Sequence, residues 1–266
     1  GLTLGDFRRV VIEPKPVLLG LAAQLVMLPL LGFMLAALFP LSPELAVGVV
    51  ILAACPGGPT SNLVSYLVQG NVALSITLTA ISSLVTVFTI PLVVNLGMQQ
   101  FLGEAVALQL PFLQTVLQIA VITLIPVSLG MLLHHYLPRF AAKVEKGVKW
   151  LSLFFLALII VGLLVKERAN VGGFFVQVGW VTLTLNVLAM GLGYAIATLT
   201  KLDQPSAKAI SVEVGIQNGT LAIAIASTLL GNPTMAIPAA IYSLLMFLTS
   251  AVFAWVVRQR FQAKQV

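Results

Sequence analysis

The sequence predicts an all-α polytopic membrane protein, and three observations carry that prediction. Hydrophobic residues make up 59% of the chain, charged residues only 8%, and the mean hydropathy is +1.08. In a soluble domain charged residues approach a quarter of the total. Eight apolar runs follow one another with short connections, each near the length of about 20 residues that a helix needs to cross the hydrocarbon. A single acidic residue, Glu213, lies inside one of those runs instead of between them.

Turn chemistry separates the runs in order. The first span covers about 16–39 and ends in Phe39-Pro40-Leu41-Ser42-Pro43; the second covers 44–69 and ends in Gln69-Gly70-Asn71. The third covers 71–97, the fourth 111–136 before Leu137-Pro138-Arg139, and the fifth 149–166. The sixth, 174–200, precedes Asp203-Gln204-Pro205, the seventh covers 206–230 before Gly231-Asn232-Pro233, and the eighth covers 235–258. None of these connections is long enough to hold a soluble domain.

The net charge of +6 would suggest a nucleic-acid partner in a soluble protein, but here the basic residues lie in short loops and report topology. With Arg8, Arg9 and Lys15 in the cytoplasm, twelve of the fourteen Lys and Arg residues fall on that side and only Lys166 and Arg168 fall outside. Both termini are therefore expected in the cytoplasm. One cysteine, Cys55, excludes an internal disulfide and supplies no metal-ligand cluster. His134 and His135 sit at the cytoplasmic end of the fourth span and read as interfacial. Neither lies near Ser61 or Cys55 in this topology, so a hydrolase is not expected. Trp150, Trp180 and Trp255 fall near span ends, as an aromatic belt requires. Met190-Gly-Leu-Gly193 reads as close helix packing, because no strand precedes it to make a dinucleotide loop.

Glu213 is the residue that points to function. A carboxylate at membrane depth costs several kcal/mol unless something neutralises it. All fourteen basic residues lie outside the apolar runs or at their ends, so none is an obvious buried partner. A bound cation or a proton remains.

Two spans are interrupted where a plain membrane helix has no reason to break. The second carries Cys55-Pro-Gly-Gly-Pro-Thr-Ser-Asn62 and the seventh Glu213-Val-Gly-Ile-Gln-Asn-Gly219. Proline removes a backbone donor and glycine loosens the helix, so the freed polar groups must be met by neighbours, water or a ligand. In the topology above the two interrupted spans run antiparallel, the pattern expected of a secondary transporter with inverted repeats. The first and sixth spans, and the third and eighth, are likewise oppositely oriented. A repeat of five helices then predicts two further spans before Gly1, with residues 1–3 as the end of the second and ten helices in the complete fold.

These residues carry a resemblance. The motifs Pro56-Gly-Gly-Pro-Thr-Ser-Asn62, Gly70-Asn-Val-Ala-Leu-Ser75 and Glu213-Val-Gly-Ile-Gln-Asn218 together resemble the bacterial branch of the bile acid:sodium symporter family, over essentially the whole chain from Gly1-Leu-Thr-Leu-Gly-Asp-Phe-Arg-Arg9 onward. The resemblance implies an inverted-repeat fold in which two broken helices cross. Its core domain would comprise about 16–97 and 174–258, and a partial panel domain 111–166. It also implies two sodium sites. The first would use Ser61, Asn62, Ser75, Thr79 and Glu213. The second would use Gln24, Glu213, Gln217 and the backbone carbonyls of Val214 and Ile216. Independently of any family, these are hard oxygen donors suited to an alkali cation. Ser75 and Thr79, spaced i, i+4, share a helix face. Ser and Thr in membrane helices also serve as packing and back-bonding residues.

The expected activity is sodium-coupled import of a small organic anion by alternating access, with the lipid bilayer as surroundings and no obligate protein partner evident. Asn218, Thr220 and the segment after Pro56, including Gly57, are the expected substrate contacts. Bile-acid-binding relatives carry a polar His-Asn pair in the last helix; here the corresponding positions hold Met246 and Phe247, which points to a smaller, pantoate-like or pyruvate-like carboxylate. A proton-coupled transporter using Glu213 as the proton site is the alternative.

Overall fold

The computed structural model describes residues 12–103, 112–137 and 171–262, with isolated positions between 140 and 162. Of the fifth expected span, 149–166, only isolated positions are described, and Arg8, Arg9, Trp150, Lys166 and Arg168 lie outside the described residues. Of His134 and His135 only the backbone is described.

Among the described residues the regular structure is helical, apart from one isolated β-bridge. Helix α1, Pro14–Leu38, contains a widened π turn over Ala23–Met27. Helices α2, Pro43–Ala54, and α3, Thr60–Leu67, are the halves of the second span. Helix α4 is Val72–Leu102, α5 Phe112–Tyr136 and α6 Val171–Leu199. Helices α7, Gln204–Gly215, and α8, Gly219–Leu229, are the halves of the seventh span. A 3-10 turn, Pro233–Ala236, leads into α9, Ile237–Gln262. Among the described residues five helices are long and apolar enough to cross a membrane: α1, α4, α5, α6 and the turn-plus-α9 unit.

Local chemistry sets the ends of these helices. Asn71 caps α4, its side-chain oxygen accepting from the Leu74 amide at 3.0 Å. Asn232 does the same for the Thr234 amide at the start of the 3-10 turn. The π turn in α1 has a cause in the sequence. Pro29 has no N–H for the carbonyl four residues back and would press its ring upon it, and the widened turn one residue before Leu28 accommodates both effects.

The broken helices form the centre. Every residue of α2 from Leu45 to Ala54 is buried, and so is every residue of α7 from Ser206 to Gly215. Helix α2, apolar all round beyond Glu44, belongs in such a position, whereas α7 buries Ser206, Lys208, Ser211 and Glu213 there. The outer helices turn apolar stripes outward instead: Leu18, Val26, Leu30 and Leu38 on α1 are each more than half exposed, a lipid-facing surface. Trp180 and Trp255 are also exposed. Helix α7 packs most extensively on α6, α2 on α4, and α9 on α6. Lys208 differs from expectation: although it stands near the end of its span, it is only 2% exposed. The reason is that the first turns of α7 are covered by the turn after α3, where Gly70 lies against Ala209 and Pro205.

Close backbone approach replaces bulky packing at the α2–α9 boundary. A Cβ added to Gly48 would stand 2.3 Å from the Met235 carbonyl oxygen, a backbone atom that cannot swing aside. Gly191 on α6, by contrast, has nothing within 4 Å. Gly48→Ala is therefore expected to lower the thermal midpoint of the purified protein, at a cost of about 1–3 kcal/mol. Gly191→Ala should leave it unchanged or raise it by the gain in helix propensity, roughly 0.5–1 kcal/mol. Equal midpoints for the two variants would refute this packing.

Candidate functional site

The two helix breaks meet each other. Pro56 forces the preceding residue out of the α region, and Cys55 duly adopts φ −71°, ψ 155° at the end of α2. Helix α7 ends at Ile216, which is extended at φ −109°, ψ 102°. The extended segments pair as a single antiparallel bridge between Gly57 and Gln217. The Gly58 amide donates to the Ile216 carbonyl and the Asn218 amide to the Pro56 carbonyl, both at 2.9 Å. Helix α7 then packs against α3, and α8 against α2.

Glu213 lies two residues before the end of α7 and is fully buried. Its Oε2 accepts from the Ser61 hydroxyl at 2.6 Å and from the Ser75 hydroxyl at 2.9 Å; its Oε1 accepts from the Thr79 hydroxyl at 2.6 Å. Ser61 comes from the first turn of α3, and Ser75 and Thr79 come from one face of α4. Among the described residues no basic side chain pairs with this carboxylate. The carboxylate also requires Gly57: a Cβ there would stand 2.1 Å from Oε1. Asn62 follows Ser61, and its Oδ1 is buried with no hydrogen-bond donor. No hydrogen bond joins Asn62 to Glu213.

A second group of oxygens lies beside the first. Gln24, on the π turn of α1, is buried and donates from Nε2 to the Cys55 carbonyl at 3.0 Å and to Gln217 Oε1 at 2.9 Å. Gln217 in turn donates from Nε2 to the Val214 carbonyl at 2.7 Å. Gln24 Oε1 is buried without a donor. A π turn often marks a functional position, because the extra residue re-aims the side chains around it.

Both groups fit a small hard cation. Every donor atom is a carboxylate, hydroxyl or carbonyl oxygen, and two amide oxygens, Asn62 Oδ1 and Gln24 Oε1, are buried and lack partners. A hydroxyl can present its proton or a lone pair, so the oxygens of Ser61, Ser75 and Thr79 can serve a carboxylate or a cation without backbone movement.

Of the expected anion contacts, Pro56 and Gly57 are buried at the pairing, Asn218 is half-buried and Thr220 is exposed. The Asn218 side chain caps α8, accepting from the Leu221 amide at 3.0 Å. Many of the other hydroxyls back-bond within their own helices, as Thr77, Ser82 and Thr182 do. The sequence reading missed three participants. Ser65 donates to the Ser75 hydroxyl at 3.2 Å, while Asn186 and Tyr242 both donate to the Gly215 carbonyl, at 2.7 and 2.8 Å. A lone asparagine in the apolar sixth span was the available signal for Asn186.

Thr79→Val keeps the shape of the side chain and deletes its hydroxyl, leaving Glu213 Oε1 without its donor. The expected result is a thermal midpoint lowered by about 1–3 kcal/mol of stability, with Thr79→Ser restoring most of it. A Val variant as stable as the parent would mean that Thr79 does not hold the carboxylate.

Comparison with known proteins identifies a family. The model of the Sodium Bile acid symporter family matches residues 1–174. The chain is 33% identical over 272 residues to an uncharacterized sodium-dependent transporter of Bacillus subtilis, YocS, covering 100% of this chain and 81% of that protein. It is 31% identical over 264 residues to a probable chloroplastic sodium/metabolite cotransporter, BASS2, of Oryza sativa subsp. japonica, where 97% of the chain meets 60% of that protein. Over 218 residues it is 34% identical to the P3 protein of Homo sapiens, spanning 44% of it. The chain thus spans less than two thirds of the rice protein and less than half of the human one. The sodium-dependent relatives are named as transporters, not enzymes. Their likeness and the apolar helices make this a multi-pass membrane protein, and the chain belongs to the sodium bile acid symporter family.

Proposed function

We propose that this protein is a secondary transporter that couples sodium entry to import of a small organic anion by alternating access. One observation carries the reading: a fully buried carboxylate, Glu213, stands where two broken helices pair and is met by hydroxyls alone among the described residues. Such a group calls for a cation, and the oxygens around it suit sodium. Sodium dependence in the names of the relatives supports the same choice.

Two sodium ions would be held. The first would sit among Ser61, Asn62, Ser75, Thr79 and Glu213. The second would sit among Gln24, Gln217, Glu213 and the carbonyls of Val214 and Ile216. Sodium at either place neutralises Glu213 and stiffens the pairing of the breaks. Helices α3 and α8 both begin at that pairing, and the amides and dipole of a helix N-terminus favour an anion. Asn218, Thr220, Pro56 and Gly57 would face the substrate. Met246 and Phe247 on α9 favour a small carboxylate over a bile acid.

In this reading the described helices belong to a ten-helix inverted-repeat fold, eight spans of which lie in this chain. A core of about 16–97 and 174–258 would rock against a panel containing 111–166. The protein would reside in a bacterial inner membrane with both termini in the cytoplasm and without an obligate protein partner.

The test begins with thermal midpoints in sodium against equal potassium or choline, for the parent and for Glu213→Gln. A sodium-specific rise of several degrees is expected once sodium exceeds its Kd by about a hundredfold, and the variant should lose it. Uptake of labelled pantoate or pyruvate into proteoliposomes should then follow an inward sodium gradient. Uptake that ignores sodium and follows pH would overturn the proposal in favour of Glu213 as a proton site.

A further inference from the structure

The pairing of the breaks has a local two-fold symmetry, because Gly57 and Gln217 oppose each other and the flanking amides donate reciprocally at 2.9 Å. Counting outward from this pair, Pro56 corresponds to Ile216, Cys55 to Gly215 and Ala53 to Glu213. The side chains on either side obey the same relation. Gln24, from the helix before α2, donates to the Cys55 carbonyl at 3.0 Å. Asn186, from the helix before α7, donates to the Gly215 carbonyl at 2.7 Å. Each carbonyl was freed when its helix stopped, and each is met by an amide from the preceding span. Both amides are buried, and both leave their own oxygen without a donor.

The two halves differ in what faces that oxygen. Gln24 meets Gln217, which lies four residues beyond Glu213 in the same segment. At the corresponding positions for Asn186 the sequence has Gly57 and Ala53, which offer neither carboxylate nor amide. The Asn186 side therefore lacks the charge to hold a cation. It carries a second donor instead: the Tyr242 hydroxyl on α9, fully buried, reaches the same Gly215 carbonyl at 2.8 Å. Gly215 lies between Glu213 and Gln217, the two side chains that take part in the oxygen groups on the opposite side of the pairing.

We infer that Asn186 and Tyr242 are positioning residues for the cation site, clamping the Gly215 carbonyl so that the segment from Glu213 to Gln217 presents its oxygens in one fixed arrangement. This rests on the sodium-coupled reading above. Without the clamp the Gly215 carbonyl would seek another donor, and the simplest way is for the chain to rotate there. That rotation moves Glu213 on one side and Gln217 on the other.

A control lies in the same interface. Ser211 on α7 donates to the Met190 carbonyl of α6 at 2.8 Å and is equally buried, but it lies within the helix and not at the break. The experiment is a sodium titration of the thermal midpoint, with choline keeping ionic strength constant, for the parent and for Tyr242→Phe, Asn186→Ala and Ser211→Ala. Tyr242→Phe deletes only a hydroxyl, so it keeps the test open should Asn186→Ala fail to fold. The expected result is a sodium midpoint raised about three- to tenfold in Tyr242→Phe and Asn186→Ala. In Ser211→Ala the choline midpoint should fall while the sodium midpoint stays at the parental value. Lowered choline midpoints with unchanged sodium midpoints in all three variants would overturn the clamp and leave Asn186 and Tyr242 as ordinary packing residues. A parent with no sodium-specific response would overturn the sodium reading itself, a failure that the parental curve alone reveals.

Discussion

Every feature of the site depends on backbone polar groups that have no water to turn to. A helix that stops inside a membrane exposes amides and carbonyls, each costing several kcal/mol if left unmet. Here two helices stop, and each supplies what the other lacks. Gly58 and Asn218 donate across the pair to Ile216 and Pro56, and Gln24, Asn186 and Tyr242 meet the next carbonyls outward. The outcome is a buried extended segment, held on both sides, from which Gln217 emerges and beside which Glu213 stands in the last turn of α7. Were only one helix broken, no partner strand would exist.

The carboxylate follows from that arrangement. Gly57 leaves room for it because a bridged segment with no Cβ at that point lets Oε1 come within what would otherwise be contact distance. Ser61 reaches it because α3 restarts immediately beyond the break. Ser75 and Thr79 reach it because α4 packs along α2 and presents their common face. Three hydroxyls soften the charge without cancelling it, which distinguishes this site from a buried ion pair, where a fixed guanidinium or ammonium would already have done so.

Much of this was legible in the sequence, for identifiable reasons. Pro56 and Pro59 announce the first break, and an acid beside Gly215 and Gly219 announces the second, because proline and glycine act on the backbone locally. Ser61, Ser75, Thr79 and Glu213, named together from the family resemblance, converge in the structure. Other features depend on neighbours that the local sequence does not specify. Lys208 stands at a span end, where exposure is the natural expectation, and is buried by the turn at Gly70. Asn186 and Tyr242 lie in unbroken apolar helices, and their importance appears only when the Gly215 carbonyl is seen between them. The π turn at Ala23–Met27 was half legible, since Pro29 foretells a disturbance but not which side chain it will re-aim.

The choice of hydroxyls around Glu213 has a physical logic that amides would not satisfy. A serine or threonine proton swings about the C–O bond, so the oxygen can turn from donor to acceptor while the side chain and backbone stay in place. An asparagine or glutamine must flip the whole amide to do the same. In the second oxygen group the amides are already committed, with Gln24 donating to Cys55 and Gln217 and Gln217 donating to Val214. The Ile216 carbonyl is engaged as well, by Gly58. The first group can thus change its hydrogen bonding by rotation of three protons. The second changes only if an amide turns, and one of those amides belongs to Gln217, a residue of the pairing itself. A change in the second group therefore involves the side chain of a residue at the crossing of the two broken helices, while a change in the first acts on the charge of Glu213.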